Sequence, residues 1–308
     1  MKACVDIGGT KVAVSLNTGA GLDLVGKRSE PTMKTGSHDA LALQVMRMVE
    51  ESAREIGLDP SRVQRVGVSS AGPFVLNAGL VELASPNICG GIAGPARGLP
   101  NDWKTATLEA PLRHRFRESV RVENDAVSAL EAERRWGALQ GFEHCAYVTW
   151  STGVGMGLCV DGRVLRGKNG NAGHGGHMFV SDNEDALCGC GNVGDLEALV
   201  AGNAVARRFG ADAATLMQHA RAGDAAAIAT VDELCRVMAR ALYNITVFLD
   251  LQRIALGGSV FHHNKDYLLP RLQAYLKGKL PALTEGCELV AAGLADRVGD
   301  YAALALVV

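Results

Sequence analysis

The sequence has almost no excess charge of either sign, no low-complexity tract and no apolar run approaching the ~20 residues a bilayer span requires. A formal net charge of −2 gives no general attraction to phosphate backbones or anionic lipid, which need a concentrated basic patch. Neither a nucleic acid nor a membrane is therefore an expected partner. The short run Arg113-His114-Arg115 reads as a solvated helix face. With no leader pattern at Met1, the chain is expected to be cytoplasmic. Five of the eight cysteines, Cys4, Cys145, Cys159, Cys235 and Cys287, lie in apolar stretches, where a free thiol behaves as a small hydrophobe. No disulfide framework is implied.

The 308 residues, 48% of them hydrophobic, exceed the ~150 residues usual for one core, so two lobes with a cleft between them are expected. The 37 glycines fall in short motifs. The densest lies between Gly170 and Glu197, where Gly173-His-Gly-Gly-His177 is followed by Cys188-Gly-Cys190 and Asp195. Imidazole, thiol and carboxylate groups gathered in a segment too rich in glycine to be a helix interior suggest a metal-fastened loop. The other reading is a metal-free loop held by hydrogen bonds.

Period-two alternation predicts strands over Lys2–Asp6 and Lys11–Leu16, a third strand near Leu22–Lys27, and a strand over Val63–Ser69 that breaks at Ala71-Gly72-Pro73. A helix is expected over His38–Ile56, with Ser37 as its cap and Leu41, Val45, Met48 and Val49 on one face. The glycine-rich stretch from Asn87 to Leu99 reads as a lid or binding element. Val120–Glu123 forms a strand that feeds a helix running to Arg135, which sets Asn124 and Asp125 at a strand-to-helix junction. Two more strands, Cys145–Trp150 and Gly155–Val160, flank Ser151-Thr152-Gly153 and repeat the first hairpin. A long helix (Ala225–Leu249), strands at Arg253–Leu256 and Glu288–Ala292, and a terminal helix from Asp300 complete the pass.

Asp6-Ile-Gly-Gly-Thr-Lys11 has glycines that let backbone N–H groups approach phosphate oxygens. It is neither a Gly-Lys-Ser loop nor a dinucleotide fingerprint, because a strand follows in place of a helix. An ordinary glycine hairpin is the alternative. Paired with the second hairpin, it suggests two cradles for one polyphosphate. Asp125 has the chemistry of a general base, though an aspartate there also caps its helix. The amides of Asn87 and Asn124 offer both donor and acceptor, as a polyol requires. For Asn87 a plain Pro-Asn turn is the rival.

These motifs, together with Ser85-Pro-Asn87, Glu123-Asn-Asp-Ala126, Ser151-Thr-Gly-Val-Gly-Met-Gly157, Cys188-Gly-Cys-Gly191 and Leu256-Gly-Gly-Ser259, resemble the ROK family of repressors and sugar kinases, in the family's order and over nearly the whole chain. The resemblance implies an α/β, two-domain actin-like (ribonuclease H-like) ATPase fold with an inter-domain cleft. Its domains would be residues 1–123 with 297–308, and 124–296 carrying the zinc loop. It further implies an ATP- and Mg²⁺-dependent kinase, in a homodimer, acting on a hydroxyl, most simply O6, of a hexose or N-acylhexosamine.

Carried over residue by residue, the resemblance makes Asp125 the base and Asn87, Asn124, Gly72, His174, His177 and Glu197 the sugar contacts. Asp6, Gly8, Gly9, Thr10 and Lys11, with Thr152 and Gly153, would hold the phosphates and Mg²⁺, and Gly257 and Gly258 the adenosine. A structural Zn²⁺ would sit on His177, Cys188, Cys190 and Asp195.

Two departures stand out. Asp195 replaces the family's third zinc cysteine, and His174 stands where many family glucokinases carry glutamate and some N-acetylmannosamine kinases carry histidine. A sugar-like cyclitol as substrate and a non-catalytic sugar-binding member are the alternatives. A DNA-binding repressor is not expected, because the phosphate motif begins at Asp6.

Overall fold

Alternating apolar residues from the first positions build an antiparallel hairpin, β1 (Lys2–Ile7) and β2 (Lys11–Asn17), which turns at Gly8-Gly9-Thr10. The computed structural model describes all residues except 91, 93–96, 118 and 183–185. The chain divides into unit 1 (Met1–Ala132, Arg166–Ala172 and Arg297–Val308) and unit 2 (Glu133–Leu165 and Gly173–Asp296).

Unit 1 continues through β3 (Val25–Pro31), α1 (Ala40–Glu55), β4 (Arg65–Ser70), a small sheet of β5 (Phe74–Asn77), β6 (Leu80–Leu83) and β7 (Ala106–Thr107), then α2 (Glu109–Phe116), β8 (Val120–Asn124) and the start of α3 (Asp125–Trp136). Its main sheet has the order β3-β2-β1-β4-β8. β1, β4 and β8 are parallel, whereas β2 and β3 are antiparallel to their neighbours. Val5, Ile7, Val12, Val14, Val66 and Val68 enter the core, where α1 buries Leu41, Val45, Met48 and Val49.

Unit 2 repeats the plan. β9 (Cys145–Trp150), β10 (Val154–Val160) and β11 (Arg163–Val164) form a meander. After α4 (Leu196–Val200), α5 (Gly202–Phe209), α6 (Ala213–Arg221) and α7 (Ala225–Leu249) come β12 (Arg253–Gly257), α8 (Ser259–His262), α9 (Lys265–Leu276), α10 (Pro281–Thr284) and β13 (Glu288–Ala291). The sheet order, β11-β10-β9-β12-β13, is that of unit 1 strand for strand, with β9, β12 and β13 parallel. Both ends of α7 are set locally. Asp224 accepts the Ala227 N–H at 2.9 Å, and Asp250 stops the helix in the left-handed conformation, with φ of 52°.

The chain then returns to unit 1 as α11 (Val298–Ala305), packed on β1 and β4. Ala302, Ala303, Leu304 and Ala305 are buried there, and Arg65 donates to the Val307 carbonyl at 3.0 Å. The close approach needs Gly67: a Cβ at that position would lie 2.0 Å from the Ala303 carbonyl oxygen.

Several expectations are corrected. The third strand spans Val25–Pro31, not Leu22–Lys27, because this polar edge strand is held by charge more than by apolar alternation. Arg28 pairs with Glu51 and Glu55, each at 3.2 Å, and Arg47 pairs with Glu30. Ser37 does not cap α1: the helix starts after Asp39 with no side-chain cap, and the Ser37 hydroxyl bonds Asp39 Oδ1 at 2.5 Å. The β5–β6 hairpin was not anticipated, although Ala78 and Gly79, with φ of 50° and 80°, have the two positive values of a tight two-residue turn. Part of the glycine-rich stretch from Asn87 to Leu99, residues 91 and 93–96, lies outside the described residues. Arg113, His114 and Arg115 lie on α2, where Arg113 and Arg115 pair with Glu109 and Glu50 at 2.6 and 2.7 Å. Among the described residues no helix is long and apolar enough to cross a membrane.

Gly67→Ala is expected to push α11 off β1 and β4 and to cost about 1–3 kcal/mol, as overpacking does. Urea unfolding would show this as a lower midpoint; an unchanged midpoint would mean that the helix shifts freely.

Candidate functional site

In unit 1 the ends of three parallel strands come into register. Asp6 pairs with Ser69 and Ser69 with Glu123; one step on, Ile7 pairs with Ser70 and Ser70 with Asn124. The Ala71 N–H extends this ladder to the Ile7 carbonyl at 2.9 Å. The glycine hairpin, Gly72 and Asp125 therefore all follow the carboxyl ends of parallel strands, where α/β sheets bind ligands. Thr32 pins the hairpin from outside: its hydroxyl donates to the Gly8 carbonyl at 2.7 Å and its N–H to the Thr10 carbonyl at 3.0 Å.

Asp125 opens α3 and accepts the Ala126 N–H through Oδ1 at 2.8 Å, with its own N–H and the Asn124 amide as further partners of the carboxylate. Solvent reaches the side chain, yet the surrounding protein displaces enough water to push its pKa above the usual carboxylate value. Burial and the neighbouring negative charge of Asp125 push Asp6 up to about 6, against the pull of Lys11. Two carboxyls whose ionisation is disfavoured by burial, and in Asp6 also by the charge of Asp125, form a site to which a divalent cation is complementary.

Asn124 is buried; its Oδ1 also accepts the Ala126 N–H, at 3.0 Å, and its NH₂ donates to the Asp125 carboxylate. Asn87 is exposed, in a turn after Ser85-Pro86, and a Cβ on Gly9 would lie 2.6 Å from its own Cβ. The hairpin and Asn87 are therefore neighbours.

Two partners escaped the sequence reading. Arg97 donates to Asn87 Oδ1. Arg166 donates to Glu123 Oε1 at 2.5 Å and to Glu131 Oε1 at 3.2 Å, which neutralises the acid beside Asn124. Arg97 acts within the same glycine-rich stretch, ten residues from Asn87, whereas Arg166 acts across the fold, where no local pattern marks it.

In unit 2, Thr152 and Gly153 turn β9 into β10, Gly257 ends β12 and Gly258 follows it, with φ of 85° at Gly258. The Ser151 and Ser259 hydroxyls, one from each turn, meet at 2.9 Å. The Ser151 carbonyl accepts the Gly202 N–H at 2.8 Å, which ties the turn to the start of α5. Glu197 bonds the same hairpin: its Oε2 accepts the Val154 N–H at 3.0 Å.

The glycine-rich segment lies flat on the β10 backbone. Side chains at Gly173 and Gly176 would stand 2.0 and 2.2 Å from the Met156 and Val154 carbonyl oxygens, which is why this loop is written in glycine. The rings of His174 and His177 are 6.3 Å apart between centroids.

His177, Cys188, Cys190 and Asp195 converge, with one ligand atom from each lying within 4.8 Å of the others. His177 Nδ1 is 3.1 Å from Asp195 Oδ2, Cys190 Sγ is 3.5 Å from the same oxygen, and Cys188 Sγ is 3.8 Å from His177 Nδ1. A tetrahedral ion with bonds of about 2.0–2.3 Å would hold its ligand atoms roughly 3.3–3.8 Å apart, so the donor types are compatible with Zn²⁺ after a small contraction of the widest pairs.

Asp195 is fully buried and uses both oxygens. Oδ1 caps α4 through the Ala198 N–H at 2.8 Å, while Oδ2 faces the cluster. Burial alone would raise its pKa, but the bonds from His177, the Ala198 N–H and Cys188 hold it below the ordinary value. The hydrogen bond to Asp195 raises His177, and burial raises Cys188.

The sequence profile of the ROK family matches residues 2–308. A glucokinase from Aeropyrum pernix is 29% identical over 98% of this chain and 95% of its own. An N-acetylmannosamine kinase from Citrobacter koseri is 31% identical over 83% of this chain and 82% of its own. Among solved structures, a ROK hexokinase from Thermus thermophilus superposes with a TM-score of 0.72 at 30% identity, covering 99% of this chain and 97% of that one.

Two variants separate the roles of Asp195. Asp195→Asn keeps an acceptor for the Ala198 N–H but removes the ligand charge, so metal content by elemental analysis should fall while α4 stays capped. Asp195→Ala removes both and should cost about 1 kcal/mol more in unfolding free energy. Equal metal content in wild type and both variants would show that Asp195 ligates nothing.

Proposed function

From the premise that the chain belongs to the ROK family and has its actin-like ATPase fold, we propose that it is an ATP- and Mg²⁺-dependent sugar kinase. It transfers the γ-phosphoryl group to a hydroxyl, O6, of a hexose or N-acylhexosamine. The observation that carries this reading is Asp125: a carboxyl of raised pKa at the end of a parallel strand, anchored through Oδ1 by the Ala126 N–H, with the chemistry of a proton acceptor. The naming of two relatives as glucokinase and N-acetylmannosamine kinase supports the substrate class.

In unit 1, Asn87, Asn124 and Gly72 hold the sugar, Asp6 holds Mg²⁺, and the backbone of Gly8, Gly9, Thr10 and Lys11 takes phosphate oxygens. In unit 2, Thr152 and Gly153 take phosphate, Gly257 and Gly258 the adenosine, and His174, His177 and Glu197 the sugar. Bound Mg·ATP supplies the phosphoryl group and charge neutralisation. Asp125 orients the sugar hydroxyl and accepts its proton. Zn²⁺ on His177, Cys188, Cys190 and Asp195 is a structural brace for the histidine loop. With histidine at position 174 in place of an acceptor-only carboxylate, the pocket can also donate a hydrogen bond, which suits an N-acyl carbonyl as well as a hydroxyl.

A coupled ADP-release screen over glucose, mannose, N-acetylmannosamine, N-acetylglucosamine and cyclitols should give turnover with at least one sugar. Silence with every compound would replace the kinase by the non-catalytic sugar-binding reading. Asp125→Asn retains the acceptor for the Ala126 N–H and should fold normally, while kcat falls about 10²–10⁴-fold. A full rate in that variant would remove Asp125 from the mechanism. Because the base works only when ionised and its pKa is raised, kcat/KM should fall on the acid side at a pH above the usual carboxylate value of about 4.

A further inference from the structure

A pocket with a basic rim lies within unit 2, lined by no residue that the kinase reading uses. Arg236, Ala239, Arg240 and Tyr243 of α7, Tyr275 at the end of α9, and Lys279 enclose about 430 Å³. Three cations and two phenols line it, and no carboxylate among the described residues does. The nearest acids along α7 are already engaged: Asp232 bonds Arg271 and Glu233 bonds Arg208, each at 3.1 Å. Arg236 and Arg240 are four residues apart on one helix face, a spacing at which like charges repel. The partial negative charge at the C-terminal end of α9 accounts for Lys279, but not for two arginines midway along α7.

Among the described residues Arg236 and Lys279 make no ion pair, and neither phenol has a hydrogen-bond partner. Among the described residues, Arg240 donates to the Val180 carbonyl and makes no ion pair. The volume lies in the range of pockets for small metabolites.

We propose that this pocket binds a small phosphate ester. Guanidinium forks match phosphate oxygens in pairs, Lys279 adds a point charge, and the tyrosines contribute hydroxyl donors and ring faces to the organic part. The site also reaches the histidine loop through a single residue. Arg240 holds the Val180 carbonyl, the Val180 N–H bonds the Gly194 carbonyl at 3.2 Å, and Gly194 precedes Asp195. A ligand that engages Arg240 thus acts on the segment that carries the metal-site carboxylate.

The test is titration calorimetry of the full chain with glucose 6-phosphate, adenosine 5′-monophosphate and inorganic phosphate. At least one ester should bind with a Kd of about 1 mM or tighter, and more tightly than inorganic phosphate. Arg236→Glu with Lys279→Glu should abolish one equivalent of binding, and the milder Arg236→Gln with Lys279→Gln should weaken it at least tenfold, as loss of charge-assisted hydrogen bonds does. Arg62→Glu, in unit 1, should leave the titration unchanged. If the kinase reading holds, a second equivalent at the proposed catalytic residues survives in the charge-reversed variant; if that reading fails, the variant binds none while wild type still binds one. Identical stoichiometry and affinity in wild type and in both double variants, or no binding of any ester, overturns the proposal.

Discussion

The backbone ladder joining β1, β4 and β8 is the constraint on which the chemistry of unit 1 depends. Its register brings Asp6, Ser69 and Glu123 abreast and stops all three strands within a residue or two of one another. A slip of one residue would turn every side chain to the opposite face and remove Asp6 from the edge. This hydrogen bonding also overcomes a repulsion. Burial and the charge of Asp125 disfavour ionisation of Asp6, and burial disfavours that of Asp125, yet each is fixed by the strand it terminates or follows, so the fold imposes an electrostatic cost that a bound cation would relieve.

Unit 2 solves a related problem with one side chain. A loop that must lie against β10 needs glycine, and glycine contributes neither packing nor rigidity. Asp195 compensates by bonding in two directions, capping α4 with one oxygen and meeting His177 and Cys190 with the other. A cysteine at this position would supply a softer ligand but a weak acceptor for the Ala198 N–H. Aspartate at this position thus anchors the helix as well as facing the His177 and Cys190 side chains.

The elements that could be read from sequence are those whose ends are fixed locally. β1, β9 and β12 stop at glycine turns, and α7 begins at a capping aspartate and ends at a left-handed residue. β3 was misplaced because its position is decided by pairing with β2 and by arginine–glutamate links from α1. The candidate site is legible where a motif is continuous, as in Gly8-Gly9-Thr10 or Asn124-Asp125. The arginines are not: Arg166 reaches Glu123 from forty-three residues away, and no period or spacing encodes such a contact. The double use of Asp195 is likewise visible only once α4 is seen to begin beside the cysteines.

The return of α11 to β1 and β4 orders events during synthesis. Residues 133–296 contain all of unit 2, so its core needs nothing from α11 in order to close. Unit 1 cannot finish so early. Although its strands emerge first, the apolar surface around Gly67 stays bare until Ala302–Leu304 arrive to cover it. The half of the molecule made first is therefore the half completed last, and in the interval its exposed sheet face is what a chaperone would recognise.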